Sequence, residues 1–265
     1  MLIIGERINS TRANIQKAIR LRNAAALAKE AKGQFARGAR ILDINCAMGL
    51  DNEPDDLDWA ISVVQSELPL AGVCVDSPNY LAITRALSVY KGGGDVFINS
   101  ITAEAARIEE ILPLALKYNA KLIALTMDEN GMPASRLERR DIAARILDAV
   151  KKKGFDPSRL YFDPLVRPIS TEPQQAAEFL GSIPLIKELG GVKTICGLSN
   201  ISFGLPKRSL VNSAFLTLAA SCGLDAAILD PLDKDVSSSI FATEAVLGRD
   251  AYCKDYLAAF RKGLL

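Results

Sequence analysis

Eight short, almost uninterrupted apolar runs recur along this chain at intervals of about 30 residues. They are Leu2–Gly5, Arg40–Asn45, Gly72–Asp76, Val96–Ser100, Lys121–Met127, Leu160–Asp163, Lys193–Leu198 and Ala226–Leu229. A strand with one wet face alternates apolar and polar residues. A run that is apolar throughout has both faces covered, as in a parallel sheet wrapped by helices. Amphipathic segments fill the gaps: Asn14–Lys32, Pro54–Glu67, Tyr80–Tyr90, Ala103–Tyr118, Leu137–Lys152, Pro173–Glu188, Ser209–Ser221 and Val236–Leu247.

Asp76-Ser77-Pro78 and Glu172-Pro173 read as helix starts, and Gly33, Gly38, Gly154 and Gly190-Gly191 as helix exits. Gly92-Gly93-Gly94 reads as a plain turn before a strand rather than a phosphate cradle. Eight strand–helix units in 265 residues match a (β/α)₈ barrel, which takes about 250. A doubly wound open sheet is the alternative, and would use fewer strands for this length. The expected fold is therefore α/β, a single (β/α)₈ TIM barrel with an extra C-terminal helix at Ala251–Arg261. One domain over residues 1–265 is expected, because no linker or low-complexity tract interrupts the pattern.

The chain has no histidine. That removes Ser–His–Asp and Cys–His machinery, imidazole bases and histidine-ligated zinc. Chemistry must run on carboxylates, amides, hydroxyls, thiols or an imported cofactor. The net charge is +1 with no basic block, which argues against nucleic acid as a partner. The five cysteines lack paired spacing, which points to a reducing compartment. With no run of about 20 apolar residues and no signal-type segment, a cytoplasmic protein is expected, away from membranes.

In a β/α barrel the reactive groups come from the C-terminal ends of the strands. Those ends carry Glu6 and Asn9, Asp43 and Asn45, Asp76-Ser77, Asn99-Ser100, Asp128, Asp163, Ser199-Asn200 and Asp230. Asp, Asn and Ser are also favoured helix N-caps, so any one of them has that simpler explanation. Caps have no reason to fall on residues that still belong to the strand, however. A ring of acids and amides with almost no cations suits a neutral heterocycle rich in N–H donors. A phosphorylated sugar would call for cations or a glycine-rich loop after the last strands. The Walker and dinucleotide fingerprints are both absent.

Six strings occur on successive strands: Ile4-Gly5-Glu6-Arg7-Ile8-Asn9, Leu42-Asp43-Ile44-Asn45, Val75-Asp76-Ser77, Ile98-Asn99-Ser100, Asp163-Pro164-Leu165 and Gly197-Leu198-Ser199-Asn200-Ile201-Ser202. Together with Cys222-Gly223-Leu224-Asp225-Ala226-Ala227, this order resembles the pterin-binding methyltransferases over essentially the whole chain. These are the methyltetrahydrofolate:corrinoid protein methyltransferases and the folate domain of cobalamin-dependent methionine synthase. The resemblance implies methyl transfer between N5 of methyltetrahydrofolate and the cobalt of a corrinoid, in a direction it does not fix. The corrinoid would arrive free or on a partner protein rather than stay bound, and a homodimer is implied.

The resemblance also implies roles for residues. Asp76, Asn99 and Asp163 would hold the pterin ring and Asn200 would reach N5. Asp43 and Ser199 would belong to the surrounding hydrogen-bond network, and Asn200 with Asp43 and Asp163 would form the proton route. Arg208, beside Lys207, is the candidate for the folate glutamate tail, and Phe203 for an apolar wall or the core. Glu6 and Asn9 stand between a supporting role and capping. No metal is expected on the protein: Cys46, Cys74 and Cys196 read as buried free thiols rather than a zinc site. Dihydropteroate synthase, whose site needs cations for pyrophosphate, is the nearest alternative enzyme, and a non-catalytic folate-binding barrel the non-enzymatic one.

Overall fold

The computed structural model describes residues 1–47 and 52–265. Its parallel strands β1 (Leu2–Asn9), β2 (Ile41–Asn45), β3 (Gly72–Asp76), β4 (Val96–Ile101), β5 (Lys121–Leu125), β6 (Leu160–Asp163), β7 (Lys193–Gly197) and β8 (Ala226–Leu229) form a closed barrel in sequence order. β1 closes onto β8, with Leu2 opposite Ala226 and Gly5 opposite Leu229. Closure rules out the open doubly wound sheet. The outer helices are α1 (Ala13–Arg20), α2 (Ala24–Ala36), α3 (Glu53–Glu67), α4 (Tyr80–Val89), α5 (Ala105–Lys117), α6 (Arg136–Lys152), α7 (Gln175–Lys187), α8 (Arg208–Ser221), α9 (Lys234–Val246) and α10 (Lys254–Arg261). No helix among the described residues is long and apolar enough to cross a membrane.

Several boundaries differ from the sequence reading. The single helix expected at Asn14–Lys32 is two. Arg22 adopts a positive φ of 49°, and Asn23 caps α2 by accepting the Ala26 N–H. Asparagine is a far better cap than interior helix residue, and it restarts the helix there. Gly33 consequently lies inside α2 rather than at its exit. β1 runs on to Asn9, so Glu6, Arg7 and Asn9 are strand residues rather than loop. β5 stops at Leu125. Asp128 instead turns back in a bridge to Gly131 and pairs with Arg145 of α6.

A cluster with one residue from each strand fills the lumen: Ile4, Ile41, Cys74, Phe97, Ile123, Tyr161, Ile195 and Ala226. Phe97 and Tyr161 meet edge to face, centroids 5.0 Å apart, so the barrel is plugged rather than hollow. Larger apolar clusters lie between the strands' outer faces and the helices. The lumen layer fixes the site. Side chains on a strand return to the same face every second residue. The next lumen-facing positions above it are Glu6, Asp43, Asp76, Asn99, Leu125, Asp163, Gly197 and Ile228. The apolar plug is the floor and the polar ring is the layer above it.

At the opposite end, Gly94 does what no other residue could. A Cβ there would lie 2.3 Å from the Gly72 nitrogen and 2.6 Å from the Ala71 carbonyl carbon. The segment read as a plain turn is a close backbone crossing.

Candidate active site

Among the described residues, none of the ring acids and amides is the N-cap of an α-helix. The N-cap positions are Arg12, Asn23, Asn52, Asn79, Glu104, Ser135, Gln174, Lys207, Asp233 and Cys253. Asn79 takes the capping task after β3, accepting from Leu81 and Ala82. After β6 the N-cap of α7 is Gln174, whose side chain makes no capping bond. Asp76 and Asp163 are thereby free of the local explanation that their residue types allow.

Around the mouth, acids and amides bond to one another across strands. Asn45 donates to Asp76 over 2.9 Å, and Asn99 to Asp43 over 3.5 Å. Ser77 is turned away and donates to Glu53. A cavity of about 390 Å³ opens between the tops of β3 and β4, lined by Asp76, Ser77, Asn99, Ser100 and Arg107 among others. Arg107 is occupied by the Ser77, Pro78 and Ser100 carbonyls, so it stitches two loops together.

Asp163 is buried, its carboxylate accepting the Leu165 N–H at 2.7 Å. Burial pushes its pKa up to about 6, against the pull of the Leu165 and Gly197 amides and the charge of Arg139. Asp43 is raised well above the usual carboxylate range, first by burial and then by the charge of Asp76. Burial also raises Asp76, opposed by the Asn45 bond. Asp43 resists ionising beside Asp76, and burial pushes all three carboxyls toward the neutral form. A ligand that offers N–H donors relieves that resistance, because it stabilises the charged form.

Asn200 lies on a 3₁₀ turn, Leu198–Ser202, that follows β7 directly. A Cβ on Gly197 would come within 3.2 Å of the Asn200 amide nitrogen, so glycine leaves room for that side chain. Asn200 itself is exposed. The turn is fastened on two sides. Ser199 Oγ donates to Glu6 Oε1 over 2.6 Å, and the exposed Arg208 donates to the Ser199 carbonyl and to Ser202 Oγ. Arg208, expected on the folate tail, is thus tied to the turn that carries Asn200. Phe203 is 65% exposed, which excludes the core role offered for it. Asn9 accepts from Thr11 in a local turn.

Two cations escaped the sequence reading. Arg7, on β1, bridges Glu30 of α2 and Asp230 at the top of β8, its Nη1 2.6 Å from the Asp230 carboxylate. Arg7 therefore stands beside the acid ring rather than in it, neutralised by two acids. Arg139 of α6 is fully buried, with Nη2 2.6 Å from Gln175 Oε1. Its signal was available: it shares the inward face of α6 with Ile142, Ala143 and Ile146, where an apolar residue belongs. The three thiols separate. Cys74 sits in the lumen, while Cys46 and Cys196 lie in different clusters outside the strands. No group of three metal-ligating side chains occurs among the described residues.

A family model described as pterin binding enzyme matches residues 5–230. Methylcorrinoid:tetrahydrofolate methyltransferase of Eubacterium limosum is 34% identical over 268 residues, 99% of this chain and 97% of that protein. Methionine synthase of Mycobacterium tuberculosis is 32% identical over 252 residues, which are 86% of this chain and 20% of the synthase. Among solved structures, dihydropteroate synthase from Xanthomonas albilineans in complex with 7,8-dihydropteroate matches with a TM-score of 0.74 at 19% identity, covering 93% of each chain. At that identity the likeness is one of fold. The near-complete match to the methyltransferase and the family model over most of the barrel agree with the polar ring, and the chain belongs to the pterin binding enzyme family.

Proposed function

We propose that this protein transfers a methyl group between N5 of tetrahydrofolate and the cobalt of a corrinoid that it meets as a substrate. The observation that carries this reading is the ring of Asp76, Asn99 and Asp163 above the lumen plug, engaged in no helix cap. A pterin presents an exocyclic amine beside a ring N–H, and one carboxylate can accept both. Asp163 and Asp76 are the carboxylates for that task, and Asn99 serves a neighbouring donor–acceptor pair. The 34% identity to the Eubacterium limosum methyltransferase over nearly the whole of both chains supports the corrinoid half of the reading.

The protein needs no nucleophile of its own, because reduced cobalt is one. Its task is the nitrogen. When the N5–methyl bond breaks, the electron pair stays on N5, and a donor beside it stabilises the transition state. Asn200 fills that role, with Ser199 and Arg208 holding its turn. In the physiological direction we adopt, named by the same relative, the methyl moves from the corrinoid to tetrahydrofolate. The corrinoid arrives on a carrier protein, and the enzyme acts as a homodimer in the cytoplasm.

Calorimetry with tetrahydrofolate and 5-methyltetrahydrofolate tests the first half, with about one site per chain expected. Tight binding of a sugar phosphate with no affinity for any reduced folate overturns it. Methyl transfer to free cob(I)alamin tests the second half. Tight folate binding without any such transfer leaves the barrel a folate binder.

A further inference from the structure

Glu6 is the ring carboxyl without a part in this chemistry. It stands two residues above Ile4 on the lumen face of β1, and its side chain is bonded to Ser199 Oγ at 2.6 Å. Ser199 immediately precedes Asn200. Among the described residues, this is the side-chain hydrogen bond that joins a ring carboxyl to the Asn200 turn. Asp43 is bonded to Asn99 on the other side of the mouth, and Asp163 reaches the segment only through the Gly197 backbone amide. A backbone amide fixes geometry but does not relay a proton, whereas a hydroxyl accepts one proton as it gives another. Among the described residues, the route expected through Asp43 and Asp163 therefore has no side-chain link to the turn, and the route through Glu6 has one.

We propose that Glu6 is the proton store of this site, exchanging the N5 proton through the hydroxyl of Ser199. The proposal rests on the methyl-transfer reading above. When the methyl group leaves N5, the electron pair of the broken N5–C bond takes the Ser199 hydroxyl proton. Ser199 Oγ takes the Glu6 carboxyl proton in the same motion, and Glu6 is left as carboxylate until solvent reprotonates it. In the opposite direction N5–H gives its proton to Ser199, and Ser199 passes its own to the Glu6 carboxylate. Atoms and charge balance both ways with no further reactant.

The surroundings of Glu6 suit the task. Burial raises its pKa, the Ser199 bond opposes this, and the charge of Asp230 at the top of β8 adds to it. Arg12, before α1, and Arg208, on α8, pull the other way, and Asp43 on β2 senses the Glu6 charge in turn. An acid works best when its pKa lies near the operating pH, and a raised carboxyl moves in that direction.

The test compares Glu6→Gln with wild type in single turnovers between 5-methyltetrahydrofolate and cob(I)alamin. Glutamine can still accept the Ser199 hydroxyl but has no proton to store. Folate affinity should stay within about twofold, while the transfer rate falls by about 10²-fold and loses one limb of its pH profile. Ser199→Ala should behave alike. A Glu6→Gln variant with the wild-type rate and pH profile reduces Glu6 to a positioning residue and overturns the proposal. Infrared difference spectroscopy needs no substrate: as pH is lowered the wild type should gain a protonated carboxyl band that Glu6→Gln lacks. Absence of that band in wild type also overturns it. A wild type that transfers no methyl group counts instead against the methyl-transfer reading, and the infrared result still decides the state of Glu6.

Discussion

The Asn45 amide donates to Asp76 across 2.9 Å, joining the lumen-facing tops of β2 and β3. One register step lower on β2, Asp43 accepts from Asn99 of β4. The two amide–carboxylate bonds cross the same quarter of the mouth in opposite senses. They hold two acids in place without a cation, and an amide offsets only part of the cost of burying a carboxylate. Asp76 and Asp43 therefore keep raised pKa values and retain capacity for a ligand's N–H groups.

Asp163→Asn and Asp76→Asn should each weaken reduced-folate binding about 10- to 100-fold. That is the loss of a charge-assisted hydrogen bond worth roughly 1.5–3 kcal/mol. Calorimetry on the folded variants measures it, and unchanged dissociation constants in both would place the pterin elsewhere.

Folate affinity should fall as pH drops through about 6, the value to which burial raises Asp163. A carboxylate accepts the pterin's N–H groups, and its protonated form gives up one of those bonds. In the free protein the sign is opposite. A folded-state pKa above the unfolded value means that this carboxyl stabilises the fold at acid pH and that the benefit is lost as pH rises through about 6. Binding isotherms and urea unfolding between about pH 4.5 and 7.5 check both slopes. Asp163→Asn should flatten each.

Gly94→Ala should destabilise the barrel by about 1–3 kcal/mol or more, because its methyl would meet the backbone of Ala71 and Gly72. Gly93→Ala, one residue away, has its nearest neighbour at 3.6 Å and should be nearly neutral. Urea unfolding of the pair separates a close crossing from a generic loop effect. Equal stability of the two variants would count against the crossing.

Asn200→Ala should slow methyl transfer more than it weakens folate binding. N5 is a neutral amine in the ground state and gains electron density only as the bond to carbon breaks, so a donor there acts mainly in the transition state. Removing one such donor costs at most about 10²–10³-fold in rate. The exposure of Asn200 lets water replace it, so the lower end is expected. Single-turnover kinetics at saturating folate decide it. A variant with poor affinity but the wild-type rate makes Asn200 a binding residue.

The eight-fold repeat of apolar runs was enough to determine the barrel, because a strand covered on both faces leaves its mark on every residue. The strand ends located the ring, where Glu6, Asp43, Asp76, Asn99 and Asp163 each follow a lumen-filling residue by two. What sequence left open was whether Asp76 or Asp163 merely capped a helix, since caps draw on the same residue types. The structure decided this by showing Asn79 and Gln174 in the capping places. The break of the first helix at Arg22 and Asn23 was hidden by an apolar pattern that reads continuously through it.

Contacts between residues distant in sequence were beyond any local reading. Arg7 meets Asp230 across 223 positions, and Ser199 meets Glu6 across 193. Both pairs exist because β1 closes onto β8 and brings the two ends of the chain side by side. Sequence placed the carboxylates at one mouth, since that depends on strand period alone. Which acid is neutralised, which stays raised in pKa and which touches the Asn200 turn depend on closure, which sets distance and burial.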